Sequence, residues 1–333
     1  MITMFCIKRG WDEHFAVWYA SWYENVRLHN ADVRLVVFEC GGDRDDCART
    51  TETIREIGAG GIVVEWRPHC WVEEIERIIG REVTDADFCI KRDSINYALA
   101  RLEALDWLSG KCKGDIICHV DLDTLFVRPW VNISKQLRYW VDNGAEMVGV
   151  DEWCCSKAYL TDMHPAGWGD GRLNYINGGL IFFIRPKSDN VKRFTEWLSS
   201  KDDLAEFRCL EQDWINDPDE FDVQRIGVLP PRYNFTWNHL RVRKCGYPVM
   251  VHYYGDVKPW SDGEVDSCIW KYGFWEEYLG WLSRVRWLVS GEFYESVARR
   301  ILTVTSELRD DFTKARSGVV VPECNDKDGG DNE

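Results

Sequence analysis

Asp121 and Asp123 stand one residue apart in the segment Cys118-His119-Val120-Asp121-Leu122-Asp123-Thr124-Leu125-Phe126. Residues i and i+2 share one face of an extended chain, so both carboxylates can approach one hard cation. Oxygen ligands with open positions suit magnesium or manganese bridging a diphosphate. The triplet alone carries little weight, because Asp-x-Asp arises often by chance and reads equally as a solvated turn after a strand. Its place in the chain adds weight. Ile116 to Val120 reads as a buried strand, and in open α/β sheets ligands bind outside the carboxyl ends of the strands.

Three further segments offer ligand chemistry. In Tyr175-Ile176-Asn177-Gly178-Gly179-Leu180, two glycines allow close backbone approach, and Asn177 brings a donor and an acceptor suited to sugar hydroxyls. The same glycines also fit an ordinary bulge or turn before a strand. Leu210-Glu211-Gln212-Asp213 sets a carboxylate beside an amide at the start of a short helix, where capping is the plainer role. Val251-His252-Tyr253-Tyr254-Gly255-Asp256-Val257-Lys258-Pro259-Trp260 closes a strand with a histidine and follows it with a glycine and a lysine. A neutral imidazole can be a third metal ligand, and Lys258 can neutralise phosphate. Taken alone, His252 reads more readily as a satisfied core histidine.

The elements that position these groups alternate along the chain. Strand-length apolar runs fall at 2–7, 33–38, 62–66, 116–120, 147–150, 180–184 and 248–253. Helical spacing lies between them at 14–28, 51–57 and 92–108, where Ile95, Leu99, Leu102 and Leu105 share a face. This alternation predicts an α/β sheet of mostly parallel strands. From Trp275 to Arg316 the pattern is helical and amphipathic, and residues 317–333 form a polar acidic tail expected to be disordered. No linker divides residues 1–274.

Composition narrows the function classes. The chain has 333 residues, 45% of them apolar, enough for an ample core. A net charge of −15 argues against nucleic acid as a partner, since phosphate backbones require a basic footprint. The 18 tryptophans lean toward sugars, which stack on flat aromatic faces, although many can be core. Thirteen cysteines, odd in number and irregular in spacing, with no signal segment, predict free thiols in a reducing, cytoplasmic compartment. Trp281, Arg284, Arg286, Trp287, Arg299 and Arg300 fit either weak membrane-surface contact, suited to a lipid-linked acceptor, or helices packed on the main domain; the second reading is preferred.

Together the four segments resemble the family 8 glycosyltransferases, the group of glycogenin and the bacterial lipooligosaccharide galactosyltransferases. The order Asp-x-Asp, Asn-x-Gly, acid-Gln, then His-x-x-Gly-x-x-Lys-Pro-Trp is that family's order, and the last motif stands intact from His252 to Trp260. Arg232-Tyr233-Asn234-Phe235 adds to the likeness, which covers roughly residues 1 to 262. It implies a GT-A (Rossmann-like) fold: a mixed, mostly parallel central sheet flanked by helices, with a C-terminal helical extension. It also implies a retaining transfer from a nucleotide sugar, UDP-linked by family default, to a glycan-type acceptor. Asp121, Asp123 and His252 would hold manganese or magnesium. Gly255 and Lys258 would meet the donor diphosphate, and Asn177, Gly178 and Gly179 the donor sugar. Glu211 and Gln212 would lie near the anomeric carbon. Arg101, on the helix before the metal strand, would bind phosphate or sugar, or else be a surface arginine. Asp151 is a weaker candidate for acceptor or sugar contact.

Two departures stand out. The family often has an acidic residue just after the first strand, where this chain has Ile7-Lys8-Arg9, and it usually has Asp where this chain has Glu211. The mechanism stays open between covalent trapping by Glu211 and same-face attack steadied by Gln212. Two rival readings remain: a sugar nucleotidyltransferase, for which no Gly-rich phosphate loop follows the first strand, and a carbohydrate-binding scaffold without turnover.

Overall fold

The computed structural model describes residues 1–10, 12–88, 91–151, 175–201, 209–217, 219–222, 225–236, 247–253, 258–261 and 274–316. Nine strands are described: β1 (Ile2–Arg9), β2 (Val33–Cys40), β3 (Gly61–Trp66), β4 (Ile116–Val120), β5 (Thr124–Phe126), β6 (Met147–Asp151), β7 (Ile176–Phe183), β8 (Ile226–Leu229) and β9 (Met250–His252). The helices are α1 (His14–Asn25), α2 (Arg44–Ile57), α3 (Trp71–Ile79), α4 (Ile95–Lys111), α5 (Ile133–Asp142), α6 (Asn190–Ser199), α7 (Glu211–Asn216), α8 (Trp275–Arg284) and α9 (Gly291–Arg316).

Seven strands form one sheet in the order β3-β2-β1-β4-β7-β6-β8. All neighbours pair in parallel except β7, which runs against both β4 and β6. The expected mixed, mostly parallel sheet flanked by helices is therefore present. The reversal of β7 matters, because its N-terminal residues then lie beside the carboxyl ends of β4 and β6. β5 and β9 form a separate antiparallel pair, with Thr124 opposite His252.

Successive side chains of a strand point to opposite faces, and β1 shows why the sheet is covered twice. Phe5 packs with α3, α4, α6 and α7, among Trp71, Leu99, Phe194 and Trp214. Met4 and Cys6 pack on the other face with Trp18 and Trp22 of α1 and Leu137 of α5. A third core joins the two C-terminal helices to α1 and the small sheet: Trp275, Tyr278 and Leu282 meet Ala16, Val17, Leu125 and Val251. Trp281 is buried there and Trp287 is exposed. Cys6, Cys40 and Cys118 are buried free thiols, whereas Cys70 is exposed. No helix among the described residues is long and apolar enough to cross a membrane.

The run expected at 180–184 begins earlier, because Asn177, Gly178 and Gly179 lie inside β7 and do not form a turn ahead of it. β1 also extends to Arg9, and this accounts for Lys8. Its side chain turns into the fold, 1% exposed, and donates to Glu39 Oε2 at 3.0 Å and to the Gly10 carbonyl. Thr50 donates to the same Glu39 oxygen. Burial pushes the Glu39 carboxyl up, with Lys8 opposing. Removing one member of a buried pair strands the other charge. Lys8→Met is expected to cost about 3 kcal/mol in urea unfolding, and adding Glu39→Leu should recover most of that loss.

Candidate metal and donor site

Asp121 and Asp123 do not lie on one extended face as their spacing suggested. Val120 ends β4, and Asp121-Leu122-Asp123 turn the chain into β5. The turn is held from several sides. Asp121 N–H donates to the Gly179 carbonyl of β7 at 3.0 Å, and Tyr253 N–H after β9 donates to the Asp123 carbonyl at 2.7 Å. Thr124 Oγ1 donates to the Asp121 carbonyl at 2.7 Å and accepts from Trp18 Nε1 at 3.1 Å. Convergence of the carboxylates comes from this turn and from the pairing of β5 with β9, which sets His252 opposite Thr124.

His252 Nε2 lies 3.1 Å from Asp123 Oδ1 and 4.0 Å from Asp121 Oδ2. One ligand atom from each of Asp121, Asp123 and His252 lies within 4.8 Å of the others. Lys258 Nζ donates to Asp123 Oδ2 at 2.6 Å. Burial alone would raise the Asp123 pKa, but Lys258 and His252 outweigh it and hold the carboxyl well below the usual range. Burial would lower His252, and the Asp123 carboxylate outweighs that and raises it. The imidazole and the Asp123 carboxylate thus form a close buried pair. Two carboxylates and one imidazole, already gathered at one point, are a donor set that fits manganese or magnesium.

A second group adjoins the first. Arg101, on α4, lies 3.1 Å from Glu211 Oε1 and 3.8 Å from Asp121 Oδ1, and its Nη1 is 3.5 Å from the Gly178 carbonyl. Its side chain is only 16% exposed and lies beside the candidate ligands. Glu211 and Gln212 open α7, entered through Leu210 at φ 43°, a left-handed conformation that strains a side chain with a Cβ. Burial pushes the Glu211 carboxyl up, with Arg101 opposing. Its Oε2 is buried and has no hydrogen-bond partner among the described residues. Gln212 Oε1 accepts from Gly178 N–H at 2.6 Å, which leaves its amide nitrogen as the donor end.

The Asn177-Gly178-Gly179 segment joins the two groups. Asn177 Oδ1 accepts from Gly179 N–H at 2.9 Å and from Asn234 Nδ2 at 2.8 Å. Proximity leaves little room for a side chain at either glycine, least at Gly179. A Cβ on Gly178 would stand 3.0 Å from Gln212 Oε1 and 3.1 Å from Arg101 Nη1, and one on Gly179 would overlap the His252 ring. Asp151 ends β6 opposite Ile176, next to Asn177. Gly255 lies outside the described residues.

Three neighbours escaped the sequence reading. His119, 2% exposed, sits with Nδ1 3.1 Å from the Gly178 carbonyl and Nε2 3.5 Å from Asp121 Oδ1. Burial, then Arg101, pushes its pKa down to about 4, so the ring is neutral. A lone histidine in an apolar run gives no signal of this. Asn234 was visible only as part of a resembling segment, and His14 carried no motif.

Comparison with known proteins gives a likeness of fold. No family model matches the sequence, and no curated protein matches it. Among solved structures, the galactosyltransferase LgtC in complex with donor and acceptor sugar analogues superposes with a TM-score of 0.58 at 17% identity, covering 85% of this chain and 96% of that one. The bifunctional glycosyltransferase WbbM gives 0.53 at 15% identity over 90% of this chain and 51% of its own. Mouse xyloside xylosyltransferase 1 gives 0.50 at 15%, over 76% and 97%.

Gly179→Ala should displace the His252 ring while leaving β7 paired. Manganese affinity, read by electron paramagnetic resonance, should fall at least about 10-fold; unchanged affinity would contradict the assigned geometry. The chain has the GT-A-like fold of these glycosyltransferases, with a candidate metal centre at the carboxyl edge of its sheet.

Proposed function

We propose that the protein is a metal-dependent, retaining glycosyltransferase. It moves a hexose or related sugar from a nucleotide sugar, UDP-linked by resemblance, to a hydroxyl of a glycan, lipid-linked or protein acceptor. The observation that carries this reading is the convergence of Asp121, Asp123 and His252 beside a third carboxylate, Glu211, that is buried against Arg101.

Asp121, Asp123 and His252 would hold the cation. When bound, the cation would supply charge to a leaving diphosphate. Lys258, already within reach of Asp123, is mobile enough in its stem to meet a phosphate oxygen and add a second positive charge. The glycines of β7 would let a sugar lie against the backbone, with Asn177 fixed through its oxygen so that its amide nitrogen can donate. Departure of the diphosphate leaves positive charge on the anomeric carbon. The unpartnered Oε2 of Glu211 is the group suited to meet that charge, either by bonding to the carbon or by stabilising it while the acceptor attacks from the same face. Arg101 opposes the pull of burial on the Glu211 carboxyl and lies 3.1 Å from its Oε1, and Gln212, next in the chain, would lie near the anomeric carbon. Glu211 is one methylene longer than the aspartate usual in the resembling family. A well-placed nucleophile is sensitive to shifts of that size.

The test is manganese-dependent release of UDP from a panel of UDP-sugars. Asp123→Asn and His252→Ala are expected to abolish release with circular dichroism unchanged. Full release by either variant in excess chelator would contradict the metal role. Glu211→Gln is expected to lower kcat by about 100-fold or more with little change in donor KM, since it removes charge needed only in the transition state.

A further inference from the structure

Leu122 lies between the two candidate metal ligands, and its carbonyl accepts from His14 Nε2 at 2.6 Å. His14 is the first residue of α1 and is 2% exposed. Its other nitrogen, Nδ1, lies 2.9 Å from the Tyr278 hydroxyl of α8. A carbonyl can only accept, so the proton sits on Nε2. Nδ1 then keeps its lone pair, and the Tyr278 hydroxyl must be the donor. Burial lowers the His14 pKa and raises that of Tyr278, which keeps both groups in the forms this pattern needs. One tautomer satisfies all three partners in a single direction, Tyr278 to His14 to the Leu122 carbonyl.

A stacked ring adds a second connection. Trp260 lies on His14 with centroids 3.5 Å apart and planes 9° from parallel, and on Tyr278 at 4.9 Å. Trp260 stands two residues after Lys258, whose Nζ holds Asp123. The stack and the hydrogen bonds therefore reach the site at two points: the backbone between the ligands and the segment that carries Lys258. Tyr278 itself is fixed by the core that α8 shares with α1.

We propose that His14 and Tyr278 are positioning residues for the divalent-cation site, through which the C-terminal helix α8 sets the Asp121–Asp123 turn and, by way of Trp260, the reach of Lys258. This rests on the metal site proposed above. Neither side chain is among the candidate cation ligands. Each acts through a backbone carbonyl or a stacked ring. The C-terminal helices are accordingly part of the site's support, in addition to any surface they offer an acceptor.

Manganese affinity of the full chain without donor, read by electron paramagnetic resonance, tests this independently of transfer. Tyr278→Phe keeps the ring and the stack but removes the donor, and is expected to weaken manganese about threefold. His14→Phe keeps a ring but removes both hydrogen bonds, with an expected loss of about 10-fold. His14→Gln can donate to Leu122 and accept from Tyr278, so it should bind more tightly than His14→Phe. Thermal unfolding is followed in parallel. A merely structural role would lower the melting temperature and leave the affinity of the folded protein unchanged, which would overturn the proposal. Should His14→Phe fail to fold, unchanged affinity in Tyr278→Phe overturns it alone. Absence of manganese binding in the unsubstituted protein would refute the metal site itself, a result distinct from binding that the variants leave intact.

Discussion

The site depends on a turn between two sheets whose backbone groups must all be paired. A buried peptide group without a partner costs as much as a lost hydrogen bond, so the turn at Asp121–Asp123 keeps one shape only if its neighbours supply partners. They come from separate parts of the chain: Gly179 of β7, Tyr253 after β9, and His14 of α1. Each bond fixes a carbonyl or amide next to a carboxylate, and so each aims a carboxylate. The fold is needed because no local sequence can furnish these partners. The antiparallel β7 is the clearest case, since its reversal brings Gly178 and Gly179 to the carboxyl end of β4.

Electrostatics follow from that geometry. Asp121, Asp123 and Glu211 gather three acidic groups around one edge, and Lys258, Arg101 and His252 answer them. Such an arrangement is stable before any ligand arrives, because each buried charge has a partner. In the function proposed above, Asp121, Asp123 and His252 would hold a divalent cation that satisfies the carboxylates, and Lys258 would then be available to a donor diphosphate. Against the charge of the whole protein, −15, these cationic groups form a local cluster.

Much of this was legible in the sequence, and the remainder was not for identifiable reasons. Buried parallel strands are continuous apolar runs, so β1, β2 and β4 stood out. Motif order brought Asp121, Asp123, His252 and Lys258 together before any coordinates. In the Asn177-Gly178-Gly179 segment the glycines were read as a place of close backbone approach, with a bulge or turn before the strand as the plainer alternative. In the structure they are strand residues whose missing side chains make room for Gln212, Arg101 and the His252 ring. Arg101 could not be told from a surface arginine, since a helical stripe does not reveal which flank faces a cleft. His119, His14 and Tyr278 were invisible because their partners are backbone carbonyls or each other. β5, α3, α5, α6 and β8 were missed because they are short or interrupted by polar residues.

The central claim is that His252 and the two aspartates bind one divalent cation. Pulsed electron spin echo spectroscopy of the manganese-loaded protein addresses it most directly, because an imidazole nitrogen bound to the ion modulates the echo. The account predicts nitrogen modulation from one histidine in the unsubstituted protein and its disappearance in His252→Ala. Manganese bound without such modulation, or modulation that survives the substitution, would contradict it.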